Sequence, residues 1–208
     1  MLEDFRDATP LEFAAFFEMK QFITGDVRAV SKLLLKQGYD GENIANLVFD
    51  FDTSGLDEVE SFRMALIETG LSRYPLSKEC AWIAIRYYLR KIIEDESNSI
   101  GTLSKLIDLE RGISPMILFE RSDFSENYAA QEWGGEKLCG IYYSSDDWFF
   151  AFKNAPVSYE KWLEARKEEQ RGRAVSEAKR VLKKFNSLTS DLPEDLSGLR
   201  DFKNQPLT

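Results

Sequence analysis

The hydrophobic pattern predicts that the longest apolar segment, residues 78–94, is a helix buried on most of its sides. Alanine, isoleucine, leucine and tyrosine recur there at helical spacing, and further apolar residues widen the stripe in both directions. Only Glu79, Arg86 and Arg90 form a polar strip. A helix with so little polar surface is typically surrounded by several neighbours, so we expect other helices to be arranged around it. Ser77 is the predicted N-cap.

Shorter amphipathic segments, separated by turn residues, predict further helices on both sides of this one. The first has a complete start signal, with Thr9 at the N-cap, Pro10 at the first helical position and Glu12 at the capping-box position. Gly38 is expected to end the second helix. The expected helices cover residues 11–23, 27–37, 41–49, 56–69, 78–94, 100–111 and 159–185. The predicted fold is therefore mainly α: a helical bundle of about seven helices with a long C-terminal helix.

Two aromatic-rich segments differ from the helical pattern. Residues 137–143 and 148–152 are separated by a polar tetrapeptide, and this arrangement predicts a small β-hairpin near 137–152. Ser158 is then expected to cap the long C-terminal helix, with a break at Gly172. The stretch from Arg166 to Arg173 is polar all round, so we expect this part of the helix to stand in solvent or to project.

Charge is distributed unevenly along the 208 residues, which have a net charge of −9. Residues 1–152 carry a net charge of −12, whereas residues 153–184 carry +5. We therefore predict an acidic, mainly helical domain at 1–152, a basic helix at 153–188 that packs on or projects from it, and a loosely held tail at 189–208. The acidic balance disfavours general binding to nucleic acids or anionic membranes and favours a basic partner.

The absence of histidine excludes several kinds of catalytic site. Serine–histidine and cysteine–histidine nucleophile pairs cannot form within the chain, and the commonest general base and metal ligand is missing. The two cysteines, Cys80 and Cys139, cannot make a disulfide framework, which fits a reducing compartment. The first residues do not resemble a signal peptide. We therefore expect a cytoplasmic protein that is not an enzyme and that uses no cofactor.

One motif resembles the opening of a calcium-binding EF-hand loop. The run of residues 50–55, DFDTSG, supplies oxygen ligands at loop positions 1, 3 and 5 and the turn glycine at position 6. The match fails at position 12, where Ser61 replaces the bidentate glutamate, and at position 8, where Asp57 replaces an apolar residue. The alternative interpretation is an inter-helix turn in which Ser54 caps the next helix. We predict no metal site, although cation binding by the Asp50–Asp52 turn stays open.

The predicted partner-binding positions combine carboxylates with an aromatic side chain: Asp57, Glu58, Glu60, Asp146, Asp147 and Trp148. Aromatic residues dominate interface hot spots, and carboxylates attract a basic partner. The alternative interpretation is that the aromatic residues belong to the core and that the carboxylates are solvated helix ends and turns.

In size, acidity and helical content, the chain resembles many bacterial immunity or antitoxin-type proteins, which neutralise a toxin by direct binding. The resemblance is one of general character and involves no motif. It implies an acidic, non-catalytic module that binds and inhibits a basic protein partner such as a toxin domain. No membrane partner is expected, because the most apolar helix carries too many charges to span a bilayer.

Two other functions stay open at this point. The first is a carboxylate- or metal-dependent enzyme that uses the Asp50–Asp52 turn. The second is nucleic-acid contact through basic residues of the C-terminal helix: Arg166, Lys167, Arg171 and Arg173. The net charge of −12 on residues 1–152 disfavours nucleic acid as a ligand.

Overall fold

A computed structural model describes residues 5–21, 26–49, 55–71, 74–112, 130, 133–144 and 158–188. These residues form eight α-helices, one short 3-10 helix and no strand, so the fold is mainly α, as predicted. The helices are α1 (Pro10–Glu18), α2 (Val27–Lys36), α3 (Glu42–Phe49), α4 (Gly55–Glu68), α5 (Ser77–Glu94), α6 (Ser99–Gly112), α7 (Glu136–Tyr143) and α8 (Tyr159–Leu188). The 3-10 helix, Glu96–Asn98, lies between α5 and α6.

The described residues divide into two compact units, with the boundary between Ala84 and Ile85 inside α5. The first unit contains α1 to α4 and the start of α5, and the second contains the rest of α5, the 3-10 helix and α6 to α8. The division into three parts that the charge pattern suggests stays a prediction.

In the first unit, α3 packs on both α2 and α4, and α4 also packs on α1 and α2. The start of α1 follows from its sequence. The Thr9 N–H donates to the Glu12 carboxylate over 2.8 Å, and the Glu12 N–H donates to the Thr9 hydroxyl over 3.3 Å. This pair of bonds is the predicted capping box, and it satisfies two N–H groups that the helix itself leaves without a partner.

The end of α2 also follows from its sequence. Gly38 has a φ of 93°, a left-handed conformation that glycine adopts without a steric penalty. Its N–H donates to the Leu35 carbonyl, and the N–H of Tyr39 donates to the Leu34 carbonyl. This is the Schellman arrangement, which reverses the chain and sends it toward α3.

The predicted central helix, α5, is buried on almost its whole circumference: every residue from Cys80 to Leu89 except Arg86 is buried. Its start differs from the prediction. The Cys80 N–H donates to the Leu76 carbonyl over 2.9 Å, so Leu76 rather than Ser77 occupies the N-cap position. The Glu79 carboxylate accepts the Leu76 N–H over 2.6 Å and is itself buried, so it caps the helix instead of contributing to a polar surface strip.

In the second unit, α8 packs on α6 and α7, and α6 packs on α7. Helices α7 and α8 are antiparallel, because Arg180 bonds Gly134 ahead of α7, whereas Gln170 bonds Ile141 near its end. The face of α8 that packs into the unit is apolar and fully buried: Ala174, Ala178, Val181 and Phe185. These four residues follow one another at intervals of three or four, which places them on one side of the helix.

The structure corrects the hairpin prediction. Residues 137–143, the first expected strand, form α7, because Leu138 and Ile141 lie one helical turn apart and are both buried on the same side. The expected second strand, 148–152, lies outside the described residues.

The structure also corrects the prediction for the long C-terminal helix. Gly172 does not break α8, which is continuous over 30 residues. Its middle is not solvated all round either, since the side chain of Gln170 is buried. Among the helices that the structure describes, none has the length and apolar character needed to cross a bilayer.

Candidate interaction surface

Helix α4 exposes two large apolar side chains on one side. Met64 is 42% exposed and Ile67 is 36% exposed. Because they are three residues apart, they are neighbours on the helix surface, and Glu60 lies one turn before Met64 on the same side. Glu60 is exposed as well. These three residues, Glu60, Met64 and Ile67, are called the α4 face below.

The opposite side of α4 fixes this orientation. Phe62, Ala65 and Leu66 are fully buried. A helix held by such a stripe has no freedom to rotate about its axis, so the residues half a turn away point to solvent. The exposure of the α4 face is therefore a consequence of how the core holds the helix.

Polar side chains beside the α4 face already have partners within the first unit. Glu68 accepts hydrogen bonds from the backbone N–H and the side-chain amide of Asn43, over 2.9 and 2.7 Å. Arg63 Nη2 donates to Glu18 Oε1 over 2.9 Å, which links α4 to α1. Glu60, in contrast, makes no hydrogen bond or ion pair with the residues that the structure describes. Its carboxylate is open to solvent beside two apolar side chains.

A tyrosine adjoins the ion pair between Arg63 and Glu18. The guanidinium carbon of Arg63 lies 5.5 Å from the centroid of the Tyr74 ring, within the range of a cation–π contact. Burial raises the pKa of the Tyr74 hydroxyl far above its ordinary value, and the neighbouring charge of Glu18 raises it further. The hydrogen bond to Glu18 raises the pKa of Arg63. A neutral phenol and a paired guanidinium give this cluster a structural role in tying the helices together.

The predicted partner-binding residues have different positions in the structure. Glu60 lies on the α4 face, whereas Glu58 is half-buried on a neighbouring side of the same helix. The backbone of Asp57 lies in the first turn of α4, and its side chain is outside the described part of the chain. The three remaining residues lie outside the described ranges: Asp146, Asp147 and Trp148. Their role stays a prediction.

The sequence alone does not identify Met64 and Ile67 as candidate contact residues, because its charge pattern favours the charged residues at the start of α4. The signal is nevertheless present in the pattern. The buried stripe of α4 passes through Phe62 and Leu66, and both Met64 and Ile67 fall outside it. Adjacent large apolar residues on the solvent side of an amphipathic helix are candidates for a surface that another molecule covers.

The candidate cation site is affected by where α4 begins. The helix starts at Gly55, which would be position 6 of a twelve-residue EF-hand loop, so loop positions 6 to 12 are helical. This geometry favours the inter-helix turn. Within the described ranges, no three cysteine, aspartate or glutamate side chains are grouped closely enough to hold a metal ion.

The candidate nucleic-acid surface on α8 is partly neutralised by ion pairs within the helix. Arg166 Nη1 lies 2.6 Å from Glu169 Oε2, and Arg171 Nη1 lies 3.0 Å from Glu168 Oε2. Lys167 has no such partner among the described residues. Arginines that are already paired with carboxylates offer less charge to a phosphate backbone.

Comparison with known proteins identifies no relative of this chain: no protein-family model, no curated protein and no solved structure matches it. A function can therefore be inferred only from the chain's own residues.

Proposed function

We propose that this chain is a non-catalytic interaction protein that binds, and by binding inhibits, a basic protein partner through the α4 face. The observation that carries the proposal is the exposure of Met64 and Ile67 beside the carboxylate of Glu60, which has no partner among the residues that the structure describes. A toxin domain is the partner that the chain's general resemblance to immunity and antitoxin proteins implies, and the cytoplasm is the expected compartment.

The physical support comes from the combination of apolar and acidic side chains on one helix side. Covering the exposed parts of Met64 and Ile67 would contribute on the order of 1 kcal/mol for each side chain, because each is already more than half buried. Glu60 would pair with a lysine or arginine of the partner, and the net charge of −9 would accelerate the encounter at low salt. Apolar area would hold the complex, and charge would select a basic partner.

The test is affinity capture from the native host with the wild-type chain and with the double variant Met64→Asp, Ile67→Asp. We expect the wild-type chain to retain a basic protein that is identified by mass spectrometry and that binds again when purified. The double variant should lose this protein, because two new carboxylates would have to be desolvated in the interface.

Leu76→Asp is the matched control, since Leu76 is an exposed apolar residue in the same unit and is the N-cap of α5 rather than a residue of α4. Aspartate is a favourable N-cap residue, so this variant should fold and should retain the partner. Retention of the same protein by the double variant at unchanged affinity would contradict the proposal. Failure of the wild-type chain to retain any specific protein would do so too.

A further inference from the structure

An open groove with a volume of about 870 Å³ lies between α7 and α8, in the second unit. Lys137 and Gly140 contribute to its α7 wall, and Gly172, Arg173 and Ser176 contribute to its α8 wall. Small-molecule sites typically have volumes of about 300–1,000 Å³, so the groove has the size of such a site. Its position is independent of the α4 face, which belongs to the first unit.

The two glycines keep the groove open. A Cβ atom added at Gly140 or at Gly172 would meet no other heavy atom of the described residues within 4 Å. Packing within the chain therefore does not require glycine at either position, and glycine is unfavourable in the middle of a helix. Side chains at these positions would extend into the groove, so their absence preserves its volume.

The carboxylates along the groove are already paired with arginines of α8. Glu168 pairs with Arg171 over 3.0 Å, and Glu177 pairs with Arg180 over 2.6 Å. Glu169, the third carboxylate, pairs with Arg166.

The cations that line the groove have no such pairing with residues in the described ranges. Lys137 and Arg173 make no hydrogen bond or ion pair with the described part of the chain, and the hydroxyl of Ser176 makes no hydrogen bond there. The polar groups that remain available in the groove are therefore an ammonium, a guanidinium and a hydroxyl, all of which donate hydrogen bonds.

We propose that this groove binds a small multivalent anion, a molecule that carries phosphate or carboxylate groups. The guanidinium of Arg173 would donate two parallel hydrogen bonds to one anionic group, and the ammonium of Lys137 would approach from the opposite wall. Ser176, one turn after Arg173, would donate to a further oxygen. The groove takes a ligand in the space that Gly140 and Gly172 leave.

The test is equilibrium dialysis of the full chain with radiolabelled pyrophosphate and, separately, citrate, at constant ionic strength set with sodium chloride. We expect saturable binding of one anion per chain, and the tighter of the two anions identifies phosphate or carboxylate as the recognised group. Arg173→Gln and Lys137→Gln should each weaken binding by roughly tenfold, because each removes a charge-assisted hydrogen bond.

Two further variants separate a defined site from general attraction to the basic helix. Lys179→Gln removes an exposed cation of α8 that does not line the groove, and binding should be unchanged. Gly172→Leu fills the groove without removing charge, and binding should be lost. The proposal is overturned if neither anion binds saturably, if Lys179→Gln weakens binding as much as Arg173→Gln, or if Gly172→Leu binds normally.

Discussion

The side-chain amide of Gln170 donates a hydrogen bond to the main-chain carbonyl of Ile141 over 2.8 Å, and it also lies 3.4 Å from the carbonyl of Tyr142. The last carbonyls of any helix lack partners within that helix. Ser144 donates to the Ile141 carbonyl through its backbone N–H and its hydroxyl, and Gln170, from the middle of α8, adds a further donor at the end of α7. Gln170 is only 6% exposed, although its sequence neighbours on α8 are mostly charged and exposed.

Replacing Gln170 by alanine should destabilise the second unit. The buried carbonyl of Ile141 would keep the bonds from the backbone N–H and the hydroxyl of Ser144 but would lose this donor, and a cavity would form where the amide packs. The free energy of unfolding should therefore fall by about 1–2 kcal/mol. Urea denaturation, followed by circular dichroism, measures this change. Lys167→Ala removes an exposed side chain of the same helix and should stay within about 0.5 kcal/mol of the wild type. Equal stabilities of the two variants would contradict the capping role of Gln170.

Two glycines of the second unit should respond in opposite directions to alanine. Gly172→Ala should raise the free energy of unfolding by about 0.5–1 kcal/mol, because the position is helical and its surroundings are open. Gly135→Ala should lower it by about 1–3 kcal/mol, because the new Cβ would overlap the buried indole of Trp133. Thermal denaturation of both variants tests this pair. A stabilised Gly135→Ala variant would show that Trp133 does not pack against this turn.

Tyr74 should make the stability of the protein fall in alkaline solution. Its pKa in the folded state is raised, so the folded state disfavours the phenolate relative to the unfolded state. The contribution of Tyr74 to the free energy of unfolding is fully present below the ordinary tyrosine pKa of about 10. It is lost as the pH rises above that value. Tyr74→Phe should flatten this decline, as measured by urea denaturation across that range, whereas Tyr143→Phe, which alters an exposed ring, should not. Parallel declines in the wild type and Tyr74→Phe would refute this assignment.

Glu60 should act on the rate at which the proposed partner binds. For Glu60→Gln, we expect slower association and a weaker dependence on salt, with a nearly unchanged dissociation rate, because an exposed charge steers the encounter more than it holds the complex. Surface plasmon resonance at low and high salt measures both rates. Glu160→Gln removes a carboxylate from the exposed start of α8 and serves as the control. If the association rates of both variants depended on salt to the same extent, Glu60 would not belong to the contact.

Local signals in the sequence predict the helix ends that depend on neighbouring residues. The capping box of Thr9 and Glu12 and the left-handed Gly38 are both confirmed. Prediction fails where residues that are distant in the sequence determine the secondary structure. Residues 137–143 contain aromatic residues typical of strands, yet they form a helix whose end accepts a hydrogen bond from Gln170. A contact over this separation leaves no trace in a local pattern, so the hairpin prediction is wrong for these residues.

The candidate interaction surface could be predicted only in part. The charge pattern predicts that Glu60 contacts a partner, and Glu60 lies on the α4 face. It does not reveal Met64 and Ile67, since their exposure depends on which side of α4 the core holds, and three-dimensional packing determines that. The pairing of α8 arginines with glutamates is different, because each pair is three residues apart and could be found from the sequence.

The cap that Gln170 provides has a consequence for the time course of synthesis. Helix α7 has eight residues, too few to be stable alone in water, and Gln170 follows Ile141 by 29 residues. A ribosome adds about 5–20 residues per second, so the segment that becomes α7 waits roughly 1.5 to 6 s after it is made before its capping residue exists. During that interval Leu138 and Ile141 have no apolar face of α8 to pack against. Helix α7 therefore folds together with α8 rather than ahead of it.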